Sequence, residues 1–560
     1  MKTLFGNIIL TFLLCVQPLF VFAQGIDTLF VPPFDFPLLL SGNFGELRTD
    51  HFHSGVDFKT QGVVGKPIRC VADGYICRAS VTPGGYGKAL YVMHDNGYMS
   101  VYAHLDRFPQ AVDKRVREYQ YRNEVFRTNL WFKPNEFRIK QGDFLAYAGN
   151  SGYSFGPHLH FEIRDASGNE LYDPMAFYKD KLIDTRPPRI HAVSLYPQRG
   201  KGVVNGNSGS CVYDVKGDTI CGVVEAWGVV GFGVRALDYM DGTNNKYGIR
   251  KIELFVDGKR YFSSLMDNFS FNEDLFINSW IDYGRMYNNG EWFQKLFVAE
   301  NNKLRLLDVD ENGGWLMVDE EREYNVEYRL SDYHGNTTSC SFVVRGKKAA
   351  ISSPAPYTHA LYCNANNRVE FVGMRLDVPK DVLFEDAFLN IRLQKSDGVT
   401  WRYSLTDTVY PMLKGSKISF WVGGDLPMDK SKLYVRHIEP DDTSSVGGVY
   451  ANGWITADIT VLDCYEVAVD TVAPVLLPED EELWAKKGRI TLSLDEKETS
   501  LKSFKGTLDG KFILFEYNSK NKEFTLDLKK ERVLPGVHRL RFVATDRCGN
   551  EAVYEKDIEY

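Results

Sequence analysis

Positive charge is not in excess in this 560-residue sequence: 66 Lys and Arg stand against 74 Asp and Glu, a formal net charge of −8. That balance gives no general attraction to nucleic acid, and no nucleic-acid partner is expected. Beyond about residue 22 no apolar run is long enough to cross a bilayer, so no stable membrane insertion is expected once an export signal has been removed. Cysteines are few, nine in all, and none of their spacings matches a cysteine zinc site. The shortage of aromatic residues that marks disorder is also missing. Phe, Trp and Tyr make up 14% of the chain, which fits a folded, strand-rich protein. At this length one core does not suffice, and about three or four domains are expected.

What is present begins with Met1-Lys2-Thr3, an apolar run from about Ile8 to Phe22, and Val21-Phe22-Ala23-Gln24. These are the three parts of a secretory signal, so residues 1–23 are read as a signal peptide and the protein as exported: periplasmic, envelope-associated or extracellular. Leu14, before Cys15, stands where a lipid-modification site wants a small residue. Removing the signal leaves eight cysteines, an even number in an oxidising compartment. Cys70 and Cys77 lie symmetrically about Asp73-Gly74, a two-residue hairpin signal that sets Pro67–Ala72 against Tyr75–Ala79 with the cysteines facing. Cys211 and Cys221 bracket Lys216-Gly217-Asp218 in a similar way. For each pair a disulfide and two buried thiols are both open readings.

The chemistry collects around Gly156-Pro157-His158-Leu159-His160-Phe161-Glu162. On a strand, His158 and His160 project from one face while Leu159 and Phe161 enter the core. Two imidazoles aimed at one point suggest a metal, and a catalytic zinc wants three protein ligands with a fourth position open. Upstream, Asp50-His51-Phe52-His53-Ser54-Gly55-Val56-Asp57 offers His53 and Asp57. Between them, Val101-Tyr102-Ala103-His104-Leu105 alternates, which puts His104 on the same side as Tyr102.

The order His-x-Gly-x-Asp, Tyr-Ala-His-Leu, Gly-x-Ser-x-Gly-Pro-His-Leu-His-Phe-Glu resembles the lysostaphin/LytM-type zinc endopeptidases of bacterial cell-wall peptidoglycan. The resemblance covers about residues 40 to 178, and three ordered motifs are far more specific than any one. It implies an all-β fold: an antiparallel peptidase domain (a duplicated hybrid motif) over residues 24–182. It also implies one Zn2+ per chain on His53, Asp57 and His160, two non-ligand catalytic histidines at His158 and His104, and peptidoglycan peptides as substrate. Phe155 stands where the family often has a small polar residue. His51 is read as a neighbour of the groove and His94 as structural. A catalytically inactive wall-binding protein, or an activator of other wall hydrolases on the same fold, is the alternative.

From 106 to 140 the chain carries an insertion relative to compact relatives. Within it, residues 113–140 hold eight Lys or Arg and four Asp or Glu among interleaved aromatics, at spacing that predicts a helix. Its expected role is a cap with a solvated charged face; the other reading is a wall that touches substrate. Asp184-Thr185-Arg186-Pro187-Pro188 reads as a linker, and Asp470-Thr471-Val472-Ala473-Pro474 repeats it. Leu254–Lys259 resembles Thr507–Lys511, and Ser331–Asn336 resembles Thr545–Asn550. Immunoglobulin-like β-sandwiches are therefore expected at 184–348 and 470–560, with a further β-domain at 350–468, about three in all. They are expected to act as spacers or as targeting modules that contact protein or wall.

Overall fold

A computed structural model describes residues 29–424 and 427–560, so the expected signal peptide lies outside the described residues. The all-β class holds: an N-terminal sheet unit is followed by several β-rich units. No described helix is long and apolar enough to cross a membrane.

In the first unit the strands lie in the order Leu40–Gly42, Val56–Lys59, His158–Asp165, Tyr98–Ala103, Lys88–His94, Gly74–Val81 and Thr128–Trp131. Successive neighbours are antiparallel. His158–Asp165 is thus paired on both edges, and its alternation decides what lies above and below it. Leu159, Phe161 and Ile163 have no exposed surface and point into the main core. A second layer of Pro67–Arg69, Phe144–Ala148 and Leu105–Arg107 closes that core with Ile68, Leu145 and Leu105. The apolar lead-in packs there as well, through Phe30, Phe34 and Leu38.

The Asp73-Gly74 signal does not make the expected hairpin. Pro67–Arg69 pairs with Phe144–Ala148 in one sheet, while Gly74–Val81 pairs with Lys88–His94 in the other. The chain changes layers at Asp73 instead of folding back. Gly74 is there for close approach, since a Cβ would stand 2.2 Å from the Met93 carbonyl oxygen. Cys70 and Cys77 therefore enter different apolar clusters as free thiols, as are Cys211 and Cys221. The second pair is out of register: Cys211 pairs with Leu195, and the Cys221 amide donates to the Asp214 carbonyl.

The repeats read in the sequence form the same local frame twice. Asn336 Nδ2 donates to Asp332 Oδ2 (2.7 Å) and to the Asp184 carbonyl (3.2 Å). Asn550 Nδ2 does the same with Asp546 Oδ2 (2.8 Å) and the Asp470 carbonyl (3.1 Å). Each Asp-x-x-Gly-Asn turn thus grips the segment that enters its own unit. Residues 361–467 and 484–558 have their own cores, built on pairs of five-stranded and four-stranded sheets.

The unit that begins at Asp184 is not held by a loose linker. One apolar core runs from Phe30 to Val344 and takes in Phe384, and Asn268–Ser270 extends the first unit's sheet by pairing with Glu170–Tyr172. Phe269 packs on Phe44 and Phe52, with ring centroids 4.9 and 5.1 Å apart. The two units share one interior, which a spacer would not.

Candidate metal centre

Strand register builds the site. His160 stands directly opposite Asp57 on one neighbour and Ala103 on the other, so His160 and Asp57 share a face at contact distance. Period two adds His158 on that face. His53 approaches from the loop before Val56–Lys59, and Gly55 makes this possible: a Cβ there would lie 2.2 Å from the Phe161 carbonyl oxygen.

His53, Asp57 and His160 each bring one donor atom within 4.8 Å of the others. His53 Nε2 is 3.1 Å from Asp57 Oδ1 and 3.0 Å from His160 Nδ1, which is 3.0 Å from the same Oδ1. Donors about 2.0–2.1 Å from a tetrahedral zinc lie about 3.3 Å apart, so the triad is close to that spacing. The far nitrogens fix the rings. His53 Nδ1 donates to the Asn43 carbonyl (2.6 Å) and His160 Nε2 to Glu162 Oε1 (2.8 Å). His53 Nε2 and His160 Nδ1 therefore face each other across a gap that a proton or a cation must occupy. Two imidazoles and a carboxylate, held in this way, fit zinc.

Electrostatics agrees with that reading. Burial alone would raise the Asp57 carboxyl, but His53, His158 and His160 hold it well below its usual range. Burial pulls His160 down, yet Asp57 and Glu162 outweigh it and lift His160 to about 9. A metal entering the triad must displace that proton, so affinity falls as pH drops below about 9, by up to about tenfold per unit. The expected result is that zinc competition against a chromophoric chelator, run from pH 6 to pH 9, rises with pH; a flat profile would contradict it.

Glu162 has no exposed surface and was given no role from sequence. Its Oε1 accepts from His160, Ser54 (2.6 Å) and Tyr86 (2.5 Å), and its Oε2 from Arg164 Nε (2.5 Å). Burial opposes its charge, but Arg164 and His160 keep it ionised. Glu162→Gln leaves Arg164 without its counter-charge. It should cost about 3–5 kcal/mol of stability and about 10–100-fold in zinc affinity, measured by denaturation and chelator competition.

His158 Nδ1 donates to the Gly156 carbonyl (2.8 Å), which leaves Nε2 3.5 Å from Asp57 Oδ1. His104 does not follow the alternation of its strand. Tyr102 lies in the core against Phe161, and the next side chain on that face would join it. A left-handed backbone at His104, φ 58°, turns its ring toward His158 and His160, with centroids 4.7 and 5.9 Å away. A non-glycine residue held at positive φ stores strain, and such strain gathers at functional sites. Its Nδ1 donates to the Ser151 carbonyl (2.9 Å), and burial first, then His158 and His160, push it down to about 3. His104 is thus neutral near pH 7, with an acceptor at Nε2. His51 is exposed and turned to the Thr49 carbonyl. His94 is buried between Ala72 and Ser100, outside the group.

The groove has a wall that sequence reasoning missed. Lys520, from the C-terminal unit, donates to the Ser154 carbonyl (2.6 Å) and lies 4.1 Å over the Phe155 ring, and the Ser519 amide donates to the Pro83 carbonyl (3.0 Å). The insertion does contain a helix, Gln110–Asn123. Its charged face is solvated at Lys114, Arg115, Glu118 and Arg122, as a cap would be, but one edge is also a dock for the same unit: Arg117 and Tyr121 both bind Glu531, and Glu124 binds Lys505.

Residues 51–129, which include His53, Asp57 and His104, match the family model Peptidase family M23; residues 358–470 match Zu5-like domain. The chain is 33% identical over 118 residues to the DD-carboxypeptidase/endopeptidase Mpg of Neisseria meningitidis, covering 21% of each. It is 32% identical over 130 residues to the glycyl-glycine endopeptidase ALE-1 of Staphylococcus capitis, covering 23% of this chain and 29% of that one. The chain thus spans under a third of the length of these curated relatives. Among solved structures, the lysostaphin catalytic domain of Staphylococcus simulans is similar at 23% identity, covering 25% of this chain and 92% of that one, with a TM-score of 0.19.

Proposed function

We propose, from the M23 peptidase domain that this chain carries, that the protein is an exported zinc endopeptidase that cuts peptide bonds of bacterial peptidoglycan. The observation that carries the reading is the convergence of His53 Nε2, Asp57 Oδ1 and His160 Nδ1 within 3.1 Å of one another. Asn43 and Glu162 set the two rings for metal. Zinc held there would supply the Lewis acidity that activates water and polarises the scissile carbonyl.

The side chains do the rest. His158, fixed by Gly156 and Ser154, takes the proton of the attacking water at Nε2 and hands it to the leaving amine. His104 accepts a hydrogen bond from water or from the substrate amide on the other wall. It can donate to a developing oxyanion only once protonated at Nε2, because Nδ1 is held by Ser151. Tyr153 and Phe155, 58% and 78% exposed, offer apolar surface at the rim for a peptide.

Mass spectrometry of fragments released from purified peptidoglycans of different crosslink types tests the reading. Chelator-sensitive release of new amino termini is expected and names the bond. No release by protein holding one zinc per chain would overturn the choice of substrate, and failure to bind zinc at all would overturn the enzyme reading.

A further inference from the structure

A second convergence of donors lies away from the groove, where the unit beginning at Asp184 meets the first. Asp184 follows the last helical turn of the first unit, Lys179–Lys181. Asp238 ends the strand Val224–Leu237, and Asp332 opens the turn after Glu323–Ser331. Their carboxylates each place an oxygen within 4.8 Å of the others, and the residues are only 8%, 5% and 3% exposed. Among the described residues, no Lys or Arg nitrogen comes within salt-bridge distance of any of the three. A histidine is close: His334 Nδ1 lies 3.9 Å from Asp184 Oδ2.

The hydrogen bonds do not discharge this group. Asp332 spends its oxygens on the amides of Gly335 and Asn336 and on the Asn336 side chain, and Asp184 Oδ1 accepts from the Arg186 amide. Asp238 Oδ1, fully buried, has no partner, and neither has His334 Nδ1. His334 Nε2 donates to the Leu182 carbonyl (2.9 Å), and Nδ1 is turned to Asp184. Asp184 and Asp238, with Arg250 but without Asp332, also line a small cavity of about 10 Å³ at the seam, room for one water beside the three carboxylates.

The duplicate frame shows what a closed version looks like. There, Asp470 Oδ2 accepts from the Thr499 hydroxyl (2.5 Å), and Lys432 Nζ reaches the Cys548 carbonyl and Asn550 Oδ1 (2.9 and 2.6 Å). In the Asp184 frame a third carboxylate is present, and neither donor has a counterpart.

We propose that Asp184, Asp238 and Asp332 bind a calcium ion that fixes the entry segment of the Asp184 unit against that unit's own strands, beside the seam with the first unit. Three carboxylates with no soft donor select a hard cation, and calcium tolerates an irregular, largely dehydrated oxygen shell better than magnesium. A buried group of three negative charges costs free energy unless a cation or protons neutralise it. Without an ion, burial pushes Asp238 up to about 8 and Asp184 to about 6. The competing occupant is therefore a proton.

The test uses the full chain, stripped with a chelator and returned one equivalent of zinc. Terbium is the probe, because Tyr239 and Tyr333, next to two of the ligands, can sensitise its emission. One terbium per chain is expected to bind and to be displaced by CaCl2, and millimolar CaCl2 is expected to raise the melting temperature. Asp238→Asn keeps the shape and removes one charge, so it should fold, melt no lower in chelator, and bind calcium at least about tenfold more weakly. Asp184→Asn should behave alike, and His53→Ala should keep the terbium signal. The proposal is overturned if calcium shifts neither emission nor melting while acidification to pH 5 stabilises the fold. It is overturned equally if Asp238→Asn binds as the wild type does, or if the signal is lost in His53→Ala but kept in Asp238→Asn.

Discussion

His158→Ala is expected to keep one zinc per chain and lose about 10²–10⁴ in kcat, the usual worth of a positioned general base. His53→Ala is expected to lose both zinc and turnover. The two differ because the rings differ in where their free nitrogens point. His53 Nε2 is one corner of a donor triangle with sides of 3.0–3.1 Å, and its loss leaves two donors, too few to hold zinc. His158 Nε2 stands 3.5 Å from the same Asp57 oxygen, on the edge of the triangle instead of in it. Removing it leaves all three donors in place and takes away only the group that moves the proton. Zinc content by elemental analysis beside fragment release by mass spectrometry separates the two roles. An active His158→Ala protein would reassign the base, with His104 as the next candidate.

The parts of this site that can be read from sequence are those fixed by strand period. His158 and His160 follow from alternation, and so would Glu162 and Arg164, two and four residues beyond His160 on the same face. Their chemistry was overlooked because a Glu and an Arg on a strand usually face water. The repeats were equally visible, since an Asp-x-x-Gly-Asn turn is specified by its own backbone. What could not be read depends on one torsion or on how units meet. His104 reaches the site only because its φ is 58°, against the alternation that pairs it with Tyr102. Asp73-Gly74 carries a hairpin signal, yet it serves a change of layer, because each flanking strand finds its partner far along the chain. Nothing in the pattern around Lys520 or Glu531 tells that they reach the groove and the inserted helix. Such contacts are set by the packing of whole units.

Ending the chain at residue 183 is expected to give insoluble protein, whereas ending it at residue 469 is expected to leave a folded, zinc-binding one. The first cut removes Asn268–Ser270 and leaves Glu170–Tyr172 as an unpaired sheet edge, a template for aggregation. It also uncovers Phe44 and Phe52 by taking away Phe269 and Trp280. Each large side chain returned to water costs about 1.5–3 kcal/mol, so these two alone cost about 3–6 kcal/mol, comparable to the lower end of the roughly 5–15 kcal/mol that holds a domain together. The second cut leaves the core from Phe30 to Val344 and that of 361–467 whole. It removes contacts that are mainly polar, such as Arg117 with Glu531 and Lys520 with Ser154. Solubility, melting temperature and zinc content of the two truncated chains measure the difference. If the chain ending at 183 is soluble and melts cooperatively with zinc bound, the units are separable, and the Asp184 unit is the spacer that its sequence first suggests.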